Sequence, residues 1–505
     1  MTSDALYSDV VCIGAGFAGI CAGAQLQVQL GVENFTIYER GSTFGGTWFW
    51  NQYPGAACDV PAVLYSLSFA PKSDWSSLFC PYPEIFEYLL GVARKYDLER
   101  RTKFHTEIKS ARWDEEKQRW RLVARNINTG TEFTHECKVL ISGAGQFGTP
   151  RTMADLGAAN CESFEGQVMH SARWDHSIDL HGKRVVIVGN GCTAAQIVPA
   201  IADQVDSLVQ LSRSRHWLVP DERLGHQGYT RFLARKLPFF QKFFRLYVAL
   251  YLETRWPHFT NSFLGQLMRS HFQKGATKYI CKVAPKEYHK ILIPDFPFGC
   301  KRRVLDEKGM YTAALHKANV TLHEENIVSF SKDAVHTNQG NTYPADVLIL
   351  ATGFQANDGG LSPSTLRIHG RAGVPLDEHW RKEFGGPAAY QTVAMNGFPN
   401  FFMLLGPNSN SGHTSAIMAI ENGVNLVLKL SKPILKGRKT TIEVSAVAEH
   451  AYHEKVQAKL QDTVFSAGCG AWYARGGHNS STYPWSQIRL WWNCTFPRWQ
   501  DWMLA

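Results

Sequence analysis

The 505-residue sequence has no C-x-x-C pair, no long lysine or arginine run and no apolar stretch of comfortable bilayer length. Each absence removes a class of protein. Its eleven cysteines, odd in number and scattered, indicate neither a disulfide framework nor a thiolate zinc site. No metal site is expected, and a reducing, cytoplasmic setting is the simplest reading. The formal charge of +9 is compatible with a protein that holds phosphorylated ligands, and without a basic tract it does not point to nucleic acid. The start, MTSDALYSDVV, lacks the basic and apolar regions of a secretory signal. Val10 to Leu26 is glycine-rich and short for a membrane span, and reads instead as strand, turn and helix.

What is present is a chain long enough for two or three packed domains. The apolar run Asp9-Val-Val-Cys-Ile leads into Gly14-Ala-Gly16-Phe17-Ala18-Gly19 and then an Ala/Leu-patterned helix. A G-x-G-x-x-G placed between strand and helix lets backbone amides and the helix N-terminus meet a pyrophosphate. Glu39 follows the last glycine by 39 − 19 = 20 residues and ends the strand Phe35-Thr-Ile-Tyr, where a carboxylate can accept ribose hydroxyls. An acid there disfavours a 2′-phosphate, so this site is expected to take FAD or NAD.

A second unit repeats the pattern at Lys183 to Val188, followed by Gly189-Asn-Gly191-Cys192-Thr193-Ala194, with Gln196 one turn on. Its next strand leads to Ser212-Arg213-Ser214-Arg215 instead of an acid, and guanidinium groups there favour the 2′-phosphate of NADP. The fold expected is α/β with two Rossmann-like dinucleotide-binding domains, the NADP domain inserted in the FAD domain. Asp346 to Phe354, an apolar strand with a small-residue turn, is read as the return to the first domain. The divisions are 1–150 for the first part of the FAD domain, 151–216 and 298–345 for the NADP domain, 217–297 for a helical insertion, and 346–505 for the second part of the FAD domain.

The insertion is crowded with Phe232, Phe239, Phe240, Phe243, Phe244 and Tyr247, interleaved with Arg231, Arg235, Lys236, Lys242 and Arg245. Two readings stand: a cap over an apolar substrate pocket, or an amphipathic surface that touches membrane. The cap is favoured, because apolar residues run nearly all round some turns, as in buried helices. Gly359 to Pro375 reads as an irregular connection, and the segment from Gly468 as loops over the body.

Several stretches resemble one family. Gly45-Gly46-Thr47-Trp48, the run Tyr53 to Pro61 with Asp59, and Tyr65-Ser66 resemble the flavin-facing stretch of type I Baeyer-Villiger monooxygenases. Phe164-Glu-Gly166-Gln-Val-Met-His170-Ser-Ala-Arg-Trp174-Asp175 matches that family's F-x-G-x-x-x-H-x-x-x-W-[PD] signature. The likeness continues through Gly299-Cys-Lys301-Arg302, Ala351-Thr-Gly353-Phe354 and Gly406-Pro-Asn408-Ser409. It implies FAD and NADPH as cofactors, O2 and a small-molecule ketone as reactants, and oxygen insertion through a flavin peroxide. It makes Arg302 the catalytic cation and Asp59 its carboxylate partner. Arg40, Gly46, Thr47, Trp48, Asp59 and Tyr65 join the first glycine turn around FAD. Phe164, Gly166, His170 and Trp174 become gating residues that control how the NADP domain moves. Trp472 matches the tryptophan of a control loop folding over NADP.

The sequence departs from the family at Ala57, where many relatives carry arginine, and at Thr149 to Gly157, which lacks the usual I-P-G turn. The aromatic insertion leads to an expectation of bulky apolar ketones, of the kind met in secondary metabolism. Two alternatives remain: a flavin-dependent N- or S-oxygenase, and a non-catalytic flavin-binding interaction protein. His413 is read equally as a pocket residue or a structural one.

Overall fold

The computed structural model of the chain describes residues 5–221, 236–237, 239–355, 366–471, 474–475 and 478–505. Trp472, Arg231, Phe232, Arg235 and the first part of the Gly359–Pro375 connection lie outside the described residues.

Two sheets organise the molecule. Strand β1 (Leu6–Ile13) is buried over its last four residues, as a parallel strand covered on both faces must be, and ends at the first glycine turn. Helix α1 (Phe17–Leu30) then carries the chain back to β2 (Phe35–Tyr38), which pairs parallel with β1. On the other side of β1 lies β6 (Glu132–Ser142). The first half of β6 pairs antiparallel with β5 (Arg119–Asn126), and its second half pairs parallel with β18 (Phe401–Met403). β3 (Thr102–Lys103), β4 (Thr106–Asp114) and β17 (Arg367–His369) complete this sheet in the order β17-β4-β5-β6-β1-β2-β3.

The second sheet is parallel throughout, in the order β12-β9-β8-β16-β7. It comprises β7 (Gln167–His170), β8 (Arg184–Val188), β9 (Ser207–Leu211), β12 (Val320–His323) and β16 (Val347–Leu350). This corrects one expectation: the segment from Asp346 does not return to the first sheet, because β16 pairs with β8 on one side and β7 on the other. A four-residue run of Val, Leu and Ile suits the middle of either parallel sheet, so hydrophobicity alone could not assign it. Asp346 itself is locked to Arg184, accepting from its backbone amide at 2.8 Å and its guanidinium at 2.7 Å. The chain rejoins the first sheet at β17 and β18. The result is an α/β protein with one Rossmann-like unit inserted in another.

Smaller elements fill the connections: the parallel pair β10 (Leu218–Pro220) and β11 (Val304–Asp306), and the antiparallel trio β13 (Ile327–Ser331), β14 (Ala334–Thr337) and β15 (Thr342–Pro344). Helices α2 (Thr47–Trp50) and α3 (Tyr82–Lys95) lie near the first turn, and α4 (Cys192–Ile201) follows the second.

In the insertion, α5 (Phe240–Glu253) and α6 (Phe263–Val283) are helical as expected. The expectation of all-round burial fails: α5 buries Val248 and Leu252 beside Leu64, while Phe243 is 70% and Tyr247 58% exposed. Its aromatic rings satisfy one another instead, with Phe240 on Phe244 at 5.9 Å and Tyr247 on Tyr251 at 6.3 Å between centroids. Arg245 fastens the helix to the body, donating to Val63 O at 2.6 Å and Ser66 O at 2.8 Å and pairing with Glu421. Among the described residues no helix is long and apolar enough to cross a membrane.

The C-terminal part holds α7 (Ala416–Leu435), which packs on α1, then α8 (Ala446–Gln461) and α9 (Gln487–Thr495). The loops expected after Gly468 are thus interrupted by a Ser486-capped helix. A second correction concerns cysteine: Cys300 and Cys469, separated by 169 residues, form a disulfide across Cα atoms 6.2 Å apart. Spacing along the chain carries no trace of a pairing made by the tertiary fold.

Candidate active site

The first glycine turn is built by steric necessity. Gly14 has φ +94, and a Cβ on it would stand 2.6 Å from Gly143 O; one on Gly19 would stand 1.9 Å from Gly14 O. Helix α1 therefore starts hard against β1. Its N-cap is Gly16, with no side-chain cap, and α4 likewise starts at an uncapped Gly191. By contrast Ser262, Ser415, Ser445 and Ser486 each cap their helix with a side-chain oxygen. The two helices that follow the glycine turns thus leave their first amides without a side-chain acceptor, as a pyrophosphate requires.

Glu39 is buried at the end of β2 and accepts hydrogen bonds from Ala15 N at 2.8 Å and Gly41 N at 2.7 Å. Its oxygens are thereby held beside the turn. Trp48, Tyr65 and Phe17 form a packed floor under it: Trp48 Nε1 donates to Tyr65 Oη at 3.2 Å, and Phe17 meets Tyr65 edge-on at 5.3 Å. Gly46, with φ +52, would drive a Cβ to 2.8 Å from Gly16 Cα, so the second loop touches the turn through two glycines. Thr47 is exposed at the start of α2. Arg40 donates to Gly148 O at 2.6 Å, and its guanidinium lies 5.5 Å from the Trp50 ring, with Arg173 at 4.0 Å from the same ring. These residues fit FAD.

At the second turn Gly189 has φ +126, and a Cβ on it would lie 2.4 Å from Ala351 O. Cys192, Thr193 and Ala194 open α4, with Ala194 fully buried. Gln196 points elsewhere than expected: its amide accepts from Tyr53 Oη at 2.8 Å and donates to Ala57 O at 3.0 Å, so it joins α4 to the segment that carries Asp59. Arg215 is engaged by Glu324 through two 2.9 Å bonds, while Arg213 is exposed. Sequence reading missed Lys301, which is buried with Nζ 2.7 Å from Ser214 Oγ and 3.2 Å from Arg215 O. Burial, then the charge of Arg213, push its amine down to about 8. A site that strains to hold two cations together fits a phosphate dianion. The signal was available as a lysine next to Arg302, but nothing in the sequence tied it to Ser214.

Between the turns, Arg302 meets Asp59. One nitrogen, Nη2, lies 2.6 Å from both carboxylate oxygens. Burial opposes ionisation of Asp59, yet the charge and hydrogen bonds of Arg302 more than offset it and hold the carboxyl below its usual range. The Asp59 charge in turn raises the already high pKa of the guanidinium. The pair stands in a cleft of about 580 Å³, open mouth included, walled by the apolar Val60, Pro61, Phe79, Leu252 and Leu305 and by the polar Arg255, Arg303, Ser411 and Thr414. The Arg302 side chain is 58% exposed, as a group facing an open cleft should be.

The Phe164–Asp175 stretch runs along β7. The Phe164 ring folds over Gly166, where a Cβ would lie 2.4 Å from the ring, and packs on Phe330. His170, at the end of β7, accepts from Ala172 N through Nδ1 at 3.0 Å and bonds Gly353 O through Nε2 at 3.1 Å. Its pKa is pushed down to about 4 by burial, so it is neutral and its protonated nitrogen is Nε2. Trp174 packs half-buried against the second core.

Comparison with known proteins follows the same lines. Residues 8–357 match the model of the flavin-binding monooxygenase-like family. A Baeyer-Villiger monooxygenase of Pseudomonas aeruginosa is 35% identical over 95% of this chain and 88% of its own length. The chain belongs to the Baeyer-Villiger monooxygenase family. An FAD-binding monooxygenase of Aspergillus niger is 31% identical over 99% of the chain and 82% of its own length. The solved structure of an oxidised steroid monooxygenase with NADP bound superposes with a TM-score of 0.84 at 27% identity, covering 99% of each chain. In this Baeyer-Villiger monooxygenase the contacts of Ala57 are made by its backbone: its carbonyl receives Gln196, and it bridges Pro81.

Proposed function

We propose that this enzyme uses FAD, NADPH and O2 to convert a bulky, apolar ketone to an ester or lactone. The observation that carries the reading is the Arg302–Asp59 pair in a cleft where Val60, Pro61, Phe79, Leu252 and Leu305 stand beside Arg255 and Arg303. Bound FAD supplies the redox chemistry, taking a hydride from NADPH and activating O2. The chain supplies the rest. Asp59 anchors Arg302 through Nη2, and the guanidinium meets negative charge developing on the ketone oxygen; a cation already in place needs little reorganisation when that charge appears.

In this reading Gly14 to Gly19, Glu39 and the Trp48–Tyr65 floor hold FAD. Gly189 to Ala194 with Arg213, Ser214 and Lys301 hold NADPH, and Arg215 acts through Glu324. The FAD unit is formed by residues 1–150 and the chain after β16, and the NADP unit by 151–216 and 298–350. Phe164, Gly166, His170 and Trp174 are positioning residues at the joint between them, a role supported by the His170 bond to Gly353. A cytoplasmic setting, where NADPH is supplied, goes with this reading.

The test is to give the purified, FAD-loaded protein NADPH and a panel of ketones, amines and sulfides, and to weigh the products. An ester or lactone carrying one added oxygen is expected from a bulky ketone. Transfer to nitrogen or sulfur alone would overturn the reading, and turnover restricted to small cyclic ketones would overturn its substrate class.

A further inference from the structure

The helical insertion concentrates the charge of the chain. Residues 223–286 hold twelve lysines and arginines and one acid, Glu253, so this segment carries 12 − 1 = +11 and the rest of the protein 9 − 11 = −2. The acid is turned inward: Glu253 accepts from the Ile488 amide at 3.2 Å and lies 3.2 Å from His413 Nε2. Lys242, Lys274, Lys278 and Lys282 are exposed.

The same segment shows an apolar face to solvent. The inner side of α5 is set by Arg245, Val248 and Leu252, at i, i+3 and i+7. The opposite side carries Phe239, at the N-cap, then Phe243, Leu246, Tyr247 and Leu250, at i, i+4, i+7, i+8 and i+11, and all five are exposed. At 3.6 residues per turn they form one continuous stripe. On α6, Phe263, Leu267, Lys274 and Lys278 recur at i, i+4, i+11 and i+15, so an exposed apolar end and a basic end share one face. Phe263 is 84% exposed. Where α5 ends, the bond from Ile488 to Glu253 joins it to α9, which exposes Trp491 and Trp492. Large apolar side chains seldom stand together in water on a monomeric protein unless something covers them.

We propose that the insertion docks the enzyme on an anionic lipid bilayer, with α5 lying in the plane of the interface, its aromatic stripe against the acyl chains and the lysines around it on the lipid phosphates. Nucleic acid would engage the lysines and leave the stripe in water, and a second copy of the chain would set +11 against +11. An anionic bilayer satisfies both features at once, because lysine stems follow apolar surface while their ammonium groups reach the phosphates. Leu252, on the inner side of the same helix, lines the Arg302–Asp59 cleft, so lipid and cleft stand on two sides of one helix. The docking is independent of which reaction the cleft performs.

Flotation of the FAD-loaded, full-length enzyme with vesicles is the test. Vesicles of phosphatidylcholine and phosphatidylglycerol in equal parts are expected to carry the protein up the gradient, and vesicles of phosphatidylcholine alone are expected to leave it behind. Phe243→Ser with Leu246→Ser should weaken the partition about tenfold. Lys274→Glu with Lys278→Glu should weaken it at least as much. Val447→Ser, which removes an exposed apolar side chain from α8, should float as the wild type does. Flavin content reports folding of each variant. Failure of the wild type to float with the mixed vesicles overturns the proposal whatever the variants do, and so does unchanged flotation of either double variant. Wild type that binds duplex DNA and no vesicle, or that dimerises through this face and binds no vesicle, overturns it in favour of those occupants.

Discussion

Arg302 and Asp59 are joined through a single guanidinium nitrogen that bridges both carboxylate oxygens at 2.6 Å. An end-on grip of this kind fixes the position of one guanidinium nitrogen and lets the rest of the group pivot about it, where a two-nitrogen fork would hold the plane.

Removing the cation separates the two half-reactions. In Arg302→Ala, flavin reduction by NADPH should persist, followed by bleaching of flavin absorbance in a stopped-flow instrument, while ester formation falls by about 100-fold to 1,000-fold. Asp59→Asn should fall less than Arg302→Ala, because the guanidinium remains but loses its anchor. Equal ester yields from wild type and Arg302→Ala would remove the cation from the chemistry.

Lys301 should give NADP binding a pH dependence. With its amine near 8 in the free protein, it is charged at pH 7 and increasingly neutral above pH 8, whereas a bound 2′-phosphate requires the charge. Cofactor binding should therefore take up protons in mildly alkaline buffer, and NADP⁺ affinity should fall by up to about tenfold per pH unit above that point. Lys301→Met should bind more weakly at neutral pH and lose the slope. Calorimetric titration in buffers of differing ionisation heat reads both effects.

His170 couples stability to acid. Its folded pKa of about 4 lies below the ordinary 6.5, so between those values the unfolded chain binds a proton that the folded chain refuses. This contribution is lost as pH falls from 6.5 toward 4, by up to about 3 kcal/mol. His170→Gln should be less stable at neutral pH, for want of the Gly353 and Ala172 bonds, and should show a flatter decline in melting temperature below pH 6.5.

The disulfide predicts a thiol count. Under denaturing, non-reducing conditions nine of the eleven cysteines should react with a thiol reagent, eleven minus Cys300 and Cys469. Cys469→Ser should lower stability by about 2 to 4 kcal/mol, seen as a lower melting temperature.

Most of the architecture was legible because it is written in local chemistry. Gly14, Gly189 and the strands before them declare their turns through φ values and clashes that only glycine survives. The pairing of Arg302 with Asp59 followed from family likeness and is met in the fold. What escaped are facts of tertiary contact: β16 has the composition of a central strand in either sheet, Lys301 becomes significant only beside Ser214, and Gln196 lies in a nucleotide fingerprint yet faces the opposite unit. The aromatic face of α5 misled for a physical reason, since rings stacked along a helix shield one another without needing a core.

The distance along the chain between Asp59 and its partner, 243 residues, sets an order of events at the ribosome. At about 5 to 20 residues per second, the carboxylate emerges roughly 12 to 50 seconds before the guanidinium that holds it. Throughout that interval the nascent chain owns its first glycine turn while Asp59 lacks its guanidinium partner. The lining of the cleft runs from Asp59 to Thr414, so its wall is complete only when most of the 505-residue polypeptide has been made.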